Sequence, residues 1–380
     1  MRCVIQWLFS ALAAAMVFPL WADEPAASMT NSAAPLTVSI TPFPFDLTAS
    51  AADAVGRITR GNENLGTVQL DNGIPWEEAL SGEPFGSDLA GDWQRHKEAA
   101  GTKAVYLAIA PLQEDRIHWA SGPGGAEAPG WATREKSLTP QLKEAYCQYV
   151  LRAIDYFKPQ YLNLGVEAGD LAWKKPAKWP LFAELFSYCA AKARERSPSI
   201  KLGLSFSLPL LMNPGVVKRV QAVINESDYV GVSFYPYMSD FYVKLGASAL
   251  LPPPVQWRGP LDWLRQTVSK PVAICETGYS SDTVSLPKFG LSMEATPDLQ
   301  REYVADLATI ARHEHYLFTV FFLAVDCDSL MRKLPGEAAA NSLWTHCGFF
   351  DKEMRKKPAW VAYQQAWLGR ANNATDSQIP

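Results

Sequence analysis

The sequence predicts a single-domain α/β fold, a (β/α)8 barrel, on three observations. Eight short runs rich in Val, Ile, Leu and Phe recur at 36–45, 65–71, 103–111, 160–167, 201–209, 228–236, 271–276 and 317–326, each of strand length and bounded by turn residues. Segments of helical periodicity alternate with them, and strand starts spaced by about 40 residues leave room for a strand plus a crossover helix. Continuously apolar strands alternating with helices imply a parallel sheet covered on its outer face. Eight such units in about 335 residues suit a closed barrel. A doubly wound open sheet is the alternative, but no GxGxxG follows the first run.

In chain order, weaker helical segments cover 49–60 and 87–99, after the first and second strands. Strong helical periodicity covers 139–157, 179–196, 216–224 and 296–315; Thr139 and Thr296 stand as N-caps, each followed by Pro at the first helical position. Segments 260–267 and 358–368 complete the helices. Long connections rich in Gly, Pro and aromatics follow the third strand (112–138) and the sixth (237–259). Connections of that length in a compact domain are usually functional, and in a barrel they fall on the C-terminal face.

The 380 residues carry 35 Lys+Arg against 39 Asp+Glu, a formal net charge of −4, with 28 Pro and 24 Gly dispersed along the chain. Dispersal excludes a collagenous or long disordered region, and the absence of a basic run gives no footprint for nucleic acid. Residues 1–22 set Arg2 before an apolar run that ends in Leu20-Trp21-Ala22, the pattern of a cleaved signal peptide, with a single membrane anchor as the alternative, so a secreted or periplasmic location is expected. Residues 23–35 read as a flexible leader, 36–370 as the barrel, and 371–380 as a disordered tail. After cleavage no membrane contact is expected, and a monomer is expected. Of six cysteines, Cys3 leaves with the signal; Cys327 and Cys347 flank one loop and are the best candidates for a bridge, with two free thiols as the alternative. No Cys/His spacing suggests zinc, and His313 and His315, two apart on a helix, do not share a face, so no metal or other cofactor is expected.

In a barrel, the C-terminal ends of the strands converge on one pocket. Two strands end in glutamate: the fourth in NLGVEAGDL with Glu167 and the seventh in AICETGYS with Glu276. Strict alternation places Glu167 on the face of Asn163 and Gly165, and Glu276 on the face of Val272 and Ile274; these faces are expected to point inward. Two carboxyl groups across one pocket suit glycosidic bond cleavage, one protonated to assist the leaving oxygen and one ionised to meet the oxocarbenium-like centre. The bland alternative is that each Glu terminates its strand in a solvated loop. Asp71 and Trp76, in LDNGIPW, are either a hydroxyl-binding carboxylate and a stacking ring or a turn Asp and a core Trp. Trp119, Trp131 and Trp173 lie in top-face loops, and Asp326 at the end of the eighth run faces the pocket or terminates the strand.

These residues resemble the clan A retaining glycoside hydrolases, in which the acid/base Glu ends the fourth strand and the nucleophilic Glu the seventh. The resemblance implies those roles for Glu167 and Glu276, a Tyr at the end of the sixth strand touching the nucleophile (Tyr235 in SFYPY, with Tyr237 behind it), and a polysaccharide or oligosaccharide substrate. The closing GFFDKEMRKKPAW is similar to family 53, the endo-β-1,4-galactanases acting on arabinogalactan. The sequence departs from the clan at three places. Val166 stands where Asn usually precedes the acid/base Glu, Asp71 stands where the second strand usually ends in Arg, and VDCD ends the eighth strand without its Trp, for which Trp344 is the nearest substitute. The departures keep open a non-catalytic carbohydrate-binding barrel, and the same two Glu residues would equally serve a hydrolase or transglycosylase of other specificity in the clan.

Overall fold

The computed structural model describes residues 34–134, 136–238, 255–286, 291–333 and 343–371. The signal segment, nearly all of the leader and tail, and most of the connection 237–259 lie outside these residues. Among the described residues no helix is long and apolar enough to cross a membrane.

The eight expected strands form in order. They are β1 (Val38–Ile40), β2 (Leu65–Leu70), β3 (Ala104–Ile109), β4 (Tyr161–Asn163), β5 (Lys201–Ser207), β6 (Tyr229–Phe234), β7 (Val272–Thr277) and, after a two-stranded hairpin of β8 (Val284–Leu286) and β9 (Leu291–Met293), β10 (Thr319–Phe321). Every ladder of the large sheet is parallel and the order is β1-β10-β7-β6-β5-β4-β3-β2. β1 and β2 meet without a ladder. Asn64 joins them: its backbone N–H donates to Val38 O at 3.1 Å, its Oδ1 accepts from Val38 N at 2.8 Å, and its Nδ2 donates to Leu36 O at 2.8 Å. Glu63 adds a carboxylate that accepts from Ser39 Oγ and Ile40 N and faces Lys103 Nζ at 3.4 Å. The result is a (β/α)8 barrel with a side-chain seam.

The helices are α1 (Ala49–Thr59), α2 (Trp76–Ser81), α3 (Ser87–Ala100), α4 (Pro140–Phe157), α5 (Gly169–Lys174), α6 (Trp179–Arg196), α7 (Leu208–Leu211), α8 (Pro214–Glu226), α9 (Arg258–Thr267), α10 (Pro297–His313), α11 (Asp328–Lys333) and α12 (Pro358–Ala366). The eight expected helices form, and four short ones that periodicity does not mark, α2, α5, α7 and α11, join them. Thr139 and Thr296 accept from Leu142 N and Leu299 N at the starts of α4 and α10, with Pro at the first helical position of each, so a side-chain oxygen satisfies a backbone donor that the helix itself leaves open.

Two apolar regions flank the sheet. The larger lies between strands and helices. The smaller fills the barrel: Tyr106, Tyr161, Tyr229 and Phe318 crowd together with ring centroids 4.7 to 6.2 Å apart, alongside Leu65, Ala273, Cys275 and Val320. This aromatic plug closes the lower end, so the cavity described next opens only above it, at the carboxyl ends of the strands.

Candidate active site

Glu167 and Glu276 do converge, but strict alternation is not what brings them together. On β7 the inward residues are Ala273 and Cys275, which pack in the barrel, whereas Val272 and Ile274 face the helices. The expectation that Glu276 shares a face with Val272 and Ile274 is therefore corrected. The register against β6 pairs Val232 with Ile274 and Ser233 with Glu276, skipping Cys275. That bulge turns two consecutive side chains inward, and the second is Glu276.

On the fourth strand the ladder ends at Asn163. Asn163 is buried in the barrel and donates to Tyr106 Oη at 2.8 Å and Ser205 Oγ at 3.1 Å. A side chain at Gly165 would point outward, 2.6 Å from the Phe182 ring of α6, so Gly165 does not share an inward face with Glu167. Val166 turns inward instead. Glu167 then adopts φ of +50°, its N–H donating to Ser205 Oγ at 3.2 Å. A left-handed backbone at a residue other than Gly is uncommon and costs free energy, so the surrounding bonds must hold it.

Both carboxylates line one cavity of about 690 Å³, together with Asp71, Arg116, Tyr235, Phe43, Phe322 and Trp344 among others. Tyr235 Oη donates to Glu276 Oε1 at 2.6 Å, and Arg116 Nη2 lies 3.4 Å from Glu167 Oε2. Burial, and next the negative charge of Glu167, push the Glu276 carboxyl up to about 7, against the pull of the Tyr235 hydroxyl and Arg116. Beside Tyr235, Phe322 and Trp344 lie edge-on to its ring at 6.5 and 6.2 Å, and Phe43 packs on Phe322 with 5.5 Å between centroids. The chain turns flat apolar rings and carboxylates toward the same space, the combination that binds sugar faces and hydroxyls together.

The other residues singled out by sequence divide. Asp71 lines the cavity, accepting from Gln69 Nε2 at 2.6 Å, and Trp344 stands on its wall. Trp76 does not: it opens α2, 2% exposed, with Nε1 donating to Ala120 O at 3.0 Å and its ring edge-on to Trp131. It is a core residue. Tyr237 is also withdrawn, fully buried behind Tyr235, with Oη 2.8 Å from Leu343 O and 2.9 Å from Cys347 Sγ. Trp119 is likewise buried, its Nε1 donating to Arg134 O.

Asp326 is corrected as well. The eighth strand ends at Phe321, so Phe322 takes the pocket position and Asp326 lies five residues beyond the ladder. There its Oδ1 accepts from Lys357 Nζ at 2.6 Å and from Gly348 N at 3.0 Å, buried on both sides. A Cβ at Gly348 would fall 2.4 Å from Asp326 N, so the contact requires glycine. Cys327 and Cys347 are free thiols, as are Cys147, Cys189 and Cys275. Cys347 shares its hydrogen bond with Tyr237, and Cys327 lies 3.9 Å from Thr345 O. Among the described residues Asp326, Asp328 and His346 could offer ligand atoms to a metal ion, but the Lys357 ammonium already occupies the Asp326 carboxylate and repels a cation.

Sequence reasoning missed Arg116, Phe43 and Phe322. Arg116 stands in QEDRIHW, inside the long connection after β3, where no spacing rule points to one position. Phe43 lies three residues beyond the first barrel strand and Phe322 directly after the last, and each falls inside an apolar run that continues past the ladder's end.

No protein-family profile matches the sequence, and no curated protein sequence matches it. Solved structures share the fold. An exo-β-1,4-mannosidase from Opitutaceae bacterium strain TAV5 superposes with a TM-score of 0.63 at 14% identity over 87% of this chain, which spans 59% of that one. A GH5_18 variant from Bifidobacterium longum subsp. longum in complex with Manβ1-4GlcNAc gives 0.62 at 12% identity, covering 91% of this chain and 79% of that one. The catalytic core of xylanase A gives 0.57 at 13%, covering 88% and 98%. All three are matched by the barrel.

Two measurements follow from this geometry. The raised Glu276 pKa means that the folded chain holds a proton which the unfolded chain, near its ordinary 4.5, has released. Stability from this group is full below about pH 4.5 and is lost as pH rises to about 7. Glu276→Gln removes that loss, so in chemical denaturation the variant gains on the wild type between those pH values, by on the order of 3 kcal/mol, with a constant difference above. Lys357→Met strands the Asp326 carboxylate without its buried partner and lowers the unfolding free energy by about 3–5 kcal/mol in the same assay.

Proposed function

We propose that the chain is a retaining hydrolase of β-linked glycans, with Glu167 as acid/base and Glu276 as nucleophile. The observation that carries the reading is the pair itself: two carboxylates from the ends of β4 and β7 facing one cavity, one under a tyrosine hydroxyl and the other beside a guanidinium. The shared barrel with a mannosidase, a GH5_18 enzyme and a xylanase supports it, as does the resemblance to clan A.

The chemistry runs in two steps. Near neutral pH the pair holds one proton, because two carboxylates in one partly dry cavity resist ionising together. A glycosidic oxygen beside Glu167 draws that proton to Glu167 as the bond breaks, while the Tyr235 O–H stabilises the negative charge on Glu276. Glu276 attacks the anomeric carbon and forms a glycosyl-enzyme. Glu167, now ionised, takes a proton from water, which displaces Glu276 and restores the proton to Glu167. Phe43, Phe322 and Trp344 offer rings for stacking, and Asp71 accepts from sugar hydroxyls.

The galactan specificity implied by family 53 rests on GFFDKEMRKKPAW, and the described residues of that segment do not line the cavity. The mannoside reading rests on the names of the neighbours. A panel of β-galactan, arabinogalactan, β-mannan, xylan and β-glucan separates these, and addition of an acceptor sugar separates hydrolysis from transglycosylation. We propose further that the protein acts as an exported monomer. An intact mass beginning at Asp23 in the chain recovered outside the cytoplasm tests cleavage after Ala22.

One observation favours a second reading. Val166 is apolar and packed in the barrel where the clan uses Asn to bind the sugar 2-hydroxyl, a contact that strengthens in the transition state. A binding barrel predicts glycan affinity without turnover by the wild type.

Activated aryl glycosides separate the two catalytic roles. A good leaving group needs no proton, so Glu167→Gln loses about 10²–10⁴ in kcat/KM on the native glycan and far less on a dinitrophenyl glycoside. Glu276→Gln loses turnover on both. Equal losses of both variants on both substrates would overturn the assignment.

A further inference from the structure

We propose that Arg116 is the counter-charge of the two pocket glutamates: a positioning residue, presented by the connection after β3, that fixes how charge is shared across the pair. This rests on the reading of Glu167 and Glu276 as the reacting pair.

The guanidinium is enclosed, its side chain 15% exposed, with Nη2 3.4 Å from Glu167 Oε2. Burial favours losing its charge, but the carboxylates of Glu167, Asp170, Glu276 and Asp71 outweigh burial and hold it firmly protonated. These arrive from four separate elements: the turn after β4, α5, β7 and the end of β2. Around them stand Lys174, engaged with Asp170 at 3.1 Å, Tyr235 on Glu276, and Glu114 on the same connection as Arg116. His96, the other basic residue lining the cavity, faces Asp92 at 3.6 Å, and burial pushes its imidazole down. Among the described lining residues, Arg116 therefore carries the permanent positive charge.

The connection is built to hold it. Arg116 has φ of +58°, and its N–H donates to Gln113 O at 2.9 Å. Asp115 Oδ1 accepts from Ile117 N and His118 N, Gln113 N donates to His118 O, and Lys178 Nζ donates to Ile117 O at 2.7 Å. Left-handed backbone thus occurs at both ends of the Arg116–Glu167 contact, and strain retained at two facing residues is sustained by the bonds around them. The guanidinium is also underused. Its Nε is buried without a partner among the described residues, and the contact with Glu167 at 3.4 Å engages one of its five donors.

The test uses the full chain with Arg116→Gln and Arg116→Lys. Glutamate carboxyl carbons labelled with ¹³C report the titration of the pair by NMR, independently of turnover, and the pH profile of kcat/KM reports it kinetically. The expected result is that the titration near pH 7 moves up by about one unit or more in Arg116→Gln, stays close to wild type in Arg116→Lys, and that both limbs of the kinetic bell move with it. A folded Arg116→Gln whose titration is unmoved overturns the proposal. Should Arg116→Gln fail to fold, the double variant Arg116→Gln/Glu276→Gln decides: neutralising one carboxylate removes the need for a counter-charge, so folding is restored, whereas a double variant that also fails to fold makes Arg116 structural and overturns the proposal. A wild type that turns over no glycoside while the NMR titration shifts as expected refutes the hydrolase reading and leaves the counter-charge standing.

Discussion

Two carboxylates in one cavity are the constraint on which the site depends. Glu276 loses hydration in the barrel mouth, and the Glu167 carboxylate raises the cost of ionising it, so the pair is held with donors and positive charge around it. Tyr235 supplies a hydroxyl to Glu276, and Arg116 supplies a charge to Glu167. The groups come from different strand ends and connections, and none is adjacent to its partner in sequence. Their relative positions are therefore a property of the closed sheet, which is what makes the seam at Asn64 and the aromatic plug at Phe318 relevant to the chemistry above them.

Both glutamates reach the cavity by breaking the local rule of the strand that carries them. An undisturbed β7 would send residue 276 toward the helices with Ile274; the skipped Cys275 reverses it. Glu167 follows a ladder that has already ended and depends on left-handed backbone held by Ser205. Regular pairing is the lower free-energy state for a strand, so irregularity at both positions is retained because neighbouring bonds over-determine it. The same irregularity explains why the inward assignment of Glu276 by alternation names the right residue with the wrong companions.

The barrel was legible because strand length, apolar continuity and helix caps are local signals, and each is written in a few adjacent residues. All eight runs became strands, and the Thr-Pro starts of α4 and α10 cap as expected. What was not legible is which side of a strand's end a residue takes once the ladder stops. Asp326 reads as the tip of the eighth strand only if the apolar run is all ladder, yet pairing ends at Phe321. Trp76 and Tyr237 carry polar tips on large apolar bodies, and backbone carbonyls at Ala120 and Leu343 satisfy those tips inside the core. No local pattern distinguishes that fate from a place on a pocket wall. Arg116 was hidden for the converse reason: its partner is 51 residues away and its position is set by the connection's own hydrogen bonds.

The closing segment shows how a family-like pattern and a binding surface come apart. Lys357 neutralises Asp326, Gly348 permits the approach that lets its N–H reach the same carboxylate, and Trp360 packs on Phe349, Phe350 and Tyr363. These contacts tie α12 to the last strand and to the wall that carries Trp344. None of them faces the cavity. The cavity is faced instead by the segment after β1 with Phe43, the turn after β2 with Asp71, the connection after β3 with Arg116 and the segment after β10 with Phe322 and Trp344. The frame built on Asp326 and Lys357 is therefore separate from the residues that line the cavity.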